Sequence, residues 1–406
     1  MKYIEFFDKN SIENFCACLH RVPEEIILIG DNAAAMSKRI DNYKKVLEGR
    51  GIDVKFSCRT VSRWKVGQVL KVLEDVVRET EDYVFGITGG DELVIFALGM
   101  LCERHKDKKI QVHRISIQNN KVYDCDWDGT TIEQGTPKLT VRENVQIYGG
   151  TVICKNESNP YEWVVTPEFV EDVDKMWDIC KADPRDWNTH AGIFDYLEKE
   201  GAVSEDMLTV EVCTEEIENY CKKQKGDYQF AKRLMEKLHR AKMISICEKD
   251  EQKIILKYKN NQVRECLSKA GQVLEMKIYL TAISLGIYND AMTGVEIDWD
   301  GKIHSKDNIY DTINEIDVFL MHNMVPIFIS CKNGDVDSDE LYKIQTVAER
   351  FGGKYAKKVL IVTELPGSKG GNLLEQRAKD MDIRIITGND LQDDKILREK
   401  MKNLWR

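Results

Sequence analysis

The chain has 406 residues, enough for two or three domains with large cores. Lys and Arg total 59 against 69 Asp and Glu, a net charge of −10, and 42% of residues are hydrophobic. This composition excludes collagen-like, coiled-coil and disordered chains, and the lack of any 18-residue apolar run excludes a conventional membrane helix. The opening segment Met1–Asp8 has no long apolar stretch before its first acids, so no secretory signal is expected and a cytoplasmic location is.

The first 120 residues alternate in type. A strand over Tyr3–Phe7 precedes a helix over Ser11–His20. A strand over Ile26–Ile29 enters Gly30-Asp31-Asn32 and an Ala-rich helix that ends near Gly49-Arg50-Gly51. A strand at Ile52–Phe56 is followed by a helix over Val66–Arg78, apolar at Val66, Val69, Leu70, Leu73, Val76 and Val77, a 3.6-residue stripe. A strand over Tyr83–Ile87 enters Thr88-Gly89-Gly90-Asp91-Glu92 and a helix over Leu93–Arg104, and a strand over Ile110–Ile117 closes the series. Strands alternating with helices predict a doubly wound parallel sheet, a Rossmann-like α/β domain over residues 1–150. Ligands of such sheets sit outside the carboxyl ends of the strands.

Two of those strand ends read as ligand loops. Thr88-Gly89-Gly90-Asp91 offers unobstructed backbone N–H groups, a hydroxyl and a following helix N-terminus, which suits a phosphate. Gly30-Asp31-Asn32 offers the same chemistry nearby. The plain alternative is a tight turn with Asp91 as a helix cap. No Gly-x-Gly-x-x-Gly or Walker sequence is present, which weakens nicotinamide and ATP readings.

Residues 151–260 read as a connector, bounded by Gly149-Gly150 and Pro160–Pro167. Helices over Glu168–Lys181 and Phe230–Ala241 are followed by a hairpin of Met243–Cys247 and Lys253–Tyr258 across Glu248–Glu251, an arrangement resembling a winged helix. Its acidic balance favours packing or dimerisation over DNA reading. Trp163, Trp177 and Trp187 are expected in cores or interfaces. The 12 cysteines include no Cys-x-x-Cys pair and read as small buried hydrophobes in a reducing compartment.

Residues 261–406 carry the chemistry. A helix opens at Gly271 and runs to about Leu285 with Glu275 in its first turn. Asn314–Met321 and Val325–Lys332 read as two strands of one hairpin. Alternation places Glu315, Asp317 and Phe319 on one face of the first and Phe328, Ser330 and Lys332 on one face of the second. With Met321 opposite Pro326, Asp317 lies opposite Ser330, and Lys332 converges on them. Acids and a lysine gathered at a strand end suit metal-assisted phosphodiester hydrolysis: the acids hold a hard divalent cation, and the lysine orients water and offsets developing charge.

This hairpin resembles the core of PD-(D/E)xK nucleases. The resemblance makes Glu275, Asp317 and Lys332 the site residues, and Glu275, Asp317, the Cys331 backbone carbonyl and a further acid the ligands of Mn²⁺ or Mg²⁺. Ser330 stands where that family has Glu, so the missing carboxylate is sought in Glu340, then Asp337, then Glu315. The same resemblance places Lys343 and Gln345 on a helix lining the cleft. The basic cluster Lys354, Lys357 and Lys358 is either a phosphate track or a solvated face. The Gly30-Asp31-Asn32 turn and Ile87-Thr88-Gly89-Gly90 resemble a CARF domain, the CRISPR-associated Rossmann-like sensor of cyclic oligoadenylates. Asp91 and Glu92 depart from its usual Thr and basic residue.

Taken together, the chain resembles the cyclic-oligoadenylate-activated nucleases of type III CRISPR defence. That implies a homodimer whose sensor domains bind one ring, the tetra-adenylate being the expected activator, through Gly30, Asp31, Asn32, Thr88, Gly89, Gly90 and Asp91. It also implies metal-dependent, non-specific cutting of DNA or RNA, with Lys332, Asp317, Glu275, Glu340 and Gln345 in the catalytic site. Two other classes stay open: a catalytically inactive module that only senses the nucleotide, and a Rossmann-type metabolic enzyme with a regulatory C-terminal domain.

Overall fold

The computed structural model describes all residues except 63–64, 80–81, 109, 127–128, 154–162, 251–252, 302–312 and 335. It is a mixed α/β chain of three sheets. The first contains β1 (Lys2–Phe6), α1 (Ser11–His20), β2 (Glu25–Gly30), α2 (Ala33–Gly49), β3 (Lys55–Thr60), α3 (Val66–Glu79), β4 (Tyr83–Gly86), α4 (Glu92–Arg104) and β5 (Gln111–Ser116). These strands are parallel in the order β3-β2-β1-β4-β5, so strand order reverses between β1 and β4. Beyond β5 the sheet continues antiparallel through β6 (Lys121–Asp126) and β7 (Gly129–Gln134). That hairpin was not expected from the sequence.

The β3 strand begins later than the sequence suggests. Ile52 N–H donates to Leu47 C=O and Gly51 takes a positive φ of 68°, so Ile52 closes the end of α2. The strand that follows, Lys-Phe-Ser-Cys-Arg-Thr, is a half-exposed edge strand and needs no continuous apolar run. The apolar stripe of α3 is buried at Val69, Leu70, Leu73, Val76 and Val77.

After α5 (Val141–Ile147), β8 (Thr151–Ile153) leaves the first sheet and pairs with a C-terminal strand. The connector follows as α6 (Pro167–Ala182), α7 (Pro184–Ala191), α8 (Ile193–Glu200), β9 (Ala202–Val203), β10 (Thr209–Cys213), α9 (Thr214–Lys223), α10 (Tyr228–Arg240), β11 (Ile244–Asp250) and β12 (Lys253–Tyr258). The run α8-β10-α9-α10-β11-β12 is a helix, a strand, two helices and a hairpin, the element order of a winged helix. The expected turn at Glu248–Glu251 lies partly outside the described residues, as does the expected boundary at Pro160. Trp177 and Trp187 are fully buried, and Trp163 stacks on Phe169.

The C-terminal part holds α11 (Asn261–Ser268), α12 (Gln272–Ser284), β13 (Asp290–Asp298), β14 (Ile313–His322), β15 (Val325–Lys332), α13 (Asp339–Gly352), β16 (Lys357–Val362), α14 (Ser368–Asp380) and β17 (Ile383–Ile386). Its sheet runs β17-β16-β15-β14-β13-β8. Met321 pairs with Pro326 and Val318 with Ile329, and Asn323 makes the two-residue turn with φ 55°. Phe319 and Phe328, both fully buried, pack at 4.3 Å across this pair and fix its register.

Among the described residues, the two ends of the chain pack directly on one another. One core joins Tyr3, Phe15, Tyr43 and Ile147 of the first unit to Phe319, Phe328, Phe351 and Leu360 of the last. Polar contacts cross the same seam. Asn144 Nδ2 donates to Phe351 C=O at 2.7 Å, and buried Glu13 accepts from Tyr355 OH at 2.6 Å and pairs with Lys354 at 2.7 Å. The expected basic cluster is therefore partly internal, since Lys358 also donates to Gln345 and to Met381 C=O.

Candidate active site and sensor cavity

The C-terminal cleft forms where the β14–β15 ladder ends. Past the Val318–Ile329 pair, Asp317 Oδ2 accepts from Cys331 N–H at 2.6 Å and from Ser330 Oγ at 3.1 Å. Lys332 Nζ stands 3.7 Å from the same oxygen and 3.3 Å from Glu340 Oε2. Glu340 also pairs with Lys343 at 2.6 Å, so both its oxygens are engaged by lysines. Ser330 thus touches Asp317 without supplying a charge.

Two helices bring carboxylates to this strand end. α12 presents Glu275 and α13 presents Glu340, each in a first helical turn, where acids are favoured by the helix dipole. Glu275 accepts from Gln272 at 3.3 Å. Burial, then the charges of Asp317 and Glu315, push its carboxyl up to about 8. Burial also raises Asp317, and Lys332 with two hydrogen bonds offsets this only in part. Burial works against the Lys332 charge, but Asp317 and Glu340 outweigh it and raise that pKa.

Among the described residues, no three His, Cys, Asp or Glu side chains form a ready-made metal cage. The donor chemistry nonetheless fits a hard divalent cation. Glu275, Asp317 and Glu315 repel one another in a half-dry cleft, and a cation between oxygen donors relieves that repulsion. Asp337 is turned to its own loop, where it accepts from Asp339 N–H at 2.8 Å. Gln345 bonds to Glu349 and Lys358, away from the cluster.

The β13 strand adds residues the sequence reading passed over. Its register places Glu296 opposite Glu315 and Gly294 opposite Asp317, so both share the acid face. Gly294 has φ 59°, and a Cβ there would meet nothing within 4 Å, which leaves open space beside Asp317. Alternating acids at Glu296 and Asp298 were the available signal. Asn333, next to Lys332, is clamped by Asn188 of α7, with Asn333 Nδ2 donating at 2.8 Å.

A cavity lies at the strand-order reversal, outside β1 and β2, with a volume of about 520 Å³. Gly30, Asp31, Asn32, Gly90 and Asp91 line it, as do Asp8, Lys9 and Glu92. Thr88 and Gly89 do not. Thr88 Oγ1 accepts from Ile115 N–H at 2.9 Å, and a Cβ on Gly89 would meet Asp8 Cβ at 2.8 Å. Gly90 has φ 118°, and its added Cβ would meet Phe6 Cβ at 2.6 Å. These glycines seat the loop on β1 and free Gly90 N–H to donate to Asp8 at 3.0 Å.

Although burial works to raise it, hydrogen bonds from Asn10 and Gly90 N–H hold Asp8 below the ordinary carboxylate range. Asn32 and Asp91 cap α2 and α4, accepting at 3.0 Å from Ala35 and Leu93 N–H respectively. The capping alternative for Asp91 therefore holds, beside its place on the cavity wall.

Residues 261–405 match the model of the Card1-like endonuclease domain. No curated protein matches the chain. Among solved structures, protein VC1899 from Vibrio cholerae aligns with a TM-score of 0.74 at 17% identity, covering 99% of this chain and 97% of that one. Can2 from Sulfobacillus thermosulfidooxidans, solved in complex with cyclic tetra-adenylate, aligns with a TM-score of 0.65 at 14% identity, covering 100% and 97%. A type III CRISPR defence DNA nuclease activated by cyclic oligoadenylate aligns at 0.47 and 12% identity, covering 91% and 46%. The chain thus shares its overall fold with VC1899 and Can2, and its C-terminal residues 261–405 match a Card1-like endonuclease domain.

Proposed function

We propose that the chain is a cyclic-oligoadenylate-activated, metal-dependent endonuclease of type III CRISPR defence that cuts DNA or RNA, acts as a homodimer and works in the cytoplasm. The observation that carries this reading is the meeting of Asp317, Lys332 and Glu275 inside the segment that matches an endonuclease domain. Glu275, Asp317 and the Cys331 carbonyl would hold Mn²⁺ or Mg²⁺, which would supply Lewis-acid polarisation of the phosphate and a more acidic water. Lys332 orients the attacking water and offsets charge growing on the phosphate oxygens. Glu340 sets the position of Lys332 through their ion pair. Asp317, fixed by Cys331 N–H and Ser330, keeps its carboxylate in place across turnover.

The sensor cavity takes cyclic tetra-adenylate, the ligand present in the Can2 structure. Lys9 serves its phosphates, while Asp31, Asp91 and Glu92 suit ribose hydroxyls and adenine amino groups. A two-fold ring meets the same loops from two subunits. No helix among the described residues is long and apolar enough to cross a membrane. The test is cleavage of plasmid and single-stranded substrates with each cyclic oligoadenylate, with and without Mn²⁺. Cutting that needs both supports the reading, and no cutting under any combination leaves only a sensing module.

A further inference from the structure

Beside the sensor cavity lies a second one, of about 480 Å³, walled by both ends of the chain. Lys9, Lys38 and Arg39 face it from the sensor, and Arg350 and Glu349 face it from the end of α13. Four cations thus stand against one acid. Among the described residues none of the four has a carboxylate partner. Arg39 donates to Asp8 and Lys9 C=O at 3.0 and 3.3 Å, and Arg350 to Tyr148 and Trp299 C=O at 2.7 and 3.2 Å. Carbonyls orient a guanidinium but leave its charge uncompensated, and each guanidinium has five N–H donors. Burial, then the charge of Arg39, lower the Arg350 pKa.

We propose that this seam cavity is an anion site for the phosphate chain of a nucleotide, separate from the activator cavity and gripped from both domains. Its volume falls within the roughly 300–1,000 Å³ typical of small-molecule sites. Paired guanidiniums match phosphate oxygens in bidentate fashion. A nucleic-acid track to the cleft fits less well, because Arg350 lies ten residues along α13 from Glu340, about 15 Å along its axis. Lys9 and Asn10 line both cavities, so they cannot separate the two sites, whereas Lys38 and Arg350 belong to this one alone. An occupied site links sensor to nuclease by charge and favours the seam as it stands.

The experiment is calorimetric titration of the full chain, metal-free and at low salt, with ATP and with inorganic triphosphate. Lys38 is exposed on α2, so Lys38→Glu leaves the core untouched. Both ligands should bind once per chain, roughly tenfold more weakly to Lys38→Glu, with Lys38→Arg close to wild type. Binding should persist with cyclic tetra-adenylate in excess. Absence of binding by either ligand, equal affinity in Lys38→Glu, or full displacement by cyclic tetra-adenylate would each overturn the site. The Lys38 comparison reads the same whether or not the activator binds its own cavity, so the two readings fail separately.

Discussion

The nuclease cleft and the sensor cavity both lie at strand ends, yet they are built from different parts of the residue. In the cleft, charged side chains act directly: Asp317 and Lys332 shift one another's ionisation and that of Glu275, and Glu340 pairs with Lys332. In the N-terminal cavity several side chains instead hold the loop backbone in place. Asp8, Asn32 and Asp91 spend their oxygens on N–H groups, and the glycines at 89 and 90 are there for close packing on β1. A site built of charged side chains is sensitive to shape-preserving substitutions that remove charge, whereas loops packed through glycines are sensitive to added volume.

That contrast breaks if side-chain chemistry proves dispensable in the cleft. Asp317→Asn keeps the shape but removes the charge, and cleavage with saturating Mn²⁺ should fall on the order of a thousandfold or more. Lys332→Met should follow, losing roughly 10²–10³ in turnover with unchanged thermal stability. Glu340→Gln sharpens the comparison. As the residue that positions Lys332 it should cost roughly ten- to a hundredfold, whereas a loss as deep as that of Asp317→Asn would make it a direct metal ligand. Ser330→Ala removes one hydrogen bond to Asp317, about 1 kcal/mol, and should slow cutting by only about fivefold.

At the sensor end the expected sensitivity is to bulk. Gly90→Val forces a branched side chain into a positive φ and against Phe6, so titration should show activator binding lost while unactivated cleavage is kept. Gly89→Val should act indirectly, through Asp8, and a full response to activator in that variant would separate Asp8 from the switch. A smaller effect concerns Glu5, fully buried under the sensor sheet and pushed up to about 8 by burial. Its folded form is neutral, so the stability it confers is complete below about 4.5 and is lost as pH rises through 8. Melting temperature should therefore decline over that window in wild type and less in Glu5→Gln.

Legibility followed the same divide. Strict alternation along Asn314–Met321 and Val325–Lys332 fixes which side chains share a face, so the Met321–Pro326 register and the Asp317–Ser330 contact could be read from sequence. The β6–β7 hairpin could not, because Lys121–Asp126 and Gly129–Gln134 are strongly polar runs with little apolar alternation. Thr88 and Gly89 show the limit of motif reading. Their composition suits a phosphate, but only the fold reveals that one bonds to β5 and the other packs on Asp8. The seam between sensor and nuclease was least visible of all, since Glu13 and Lys354 are 341 positions apart and each looks like an ordinary surface charge.

In the proposed function, occupancy of the N-terminal cavity controls chemistry at Asp317 and Lys332. The most direct measurement follows cyclic tetra-adenylate binding and nucleic-acid cleavage in the same samples of wild type, Asp317→Asn and Gly90→Val. Binding with cleavage is expected in wild type, binding without cleavage in Asp317→Asn, and neither binding nor activation in Gly90→Val. Cleavage that ignores the activator in wild type, or that survives intact in Asp317→Asn, would contradict the proposal.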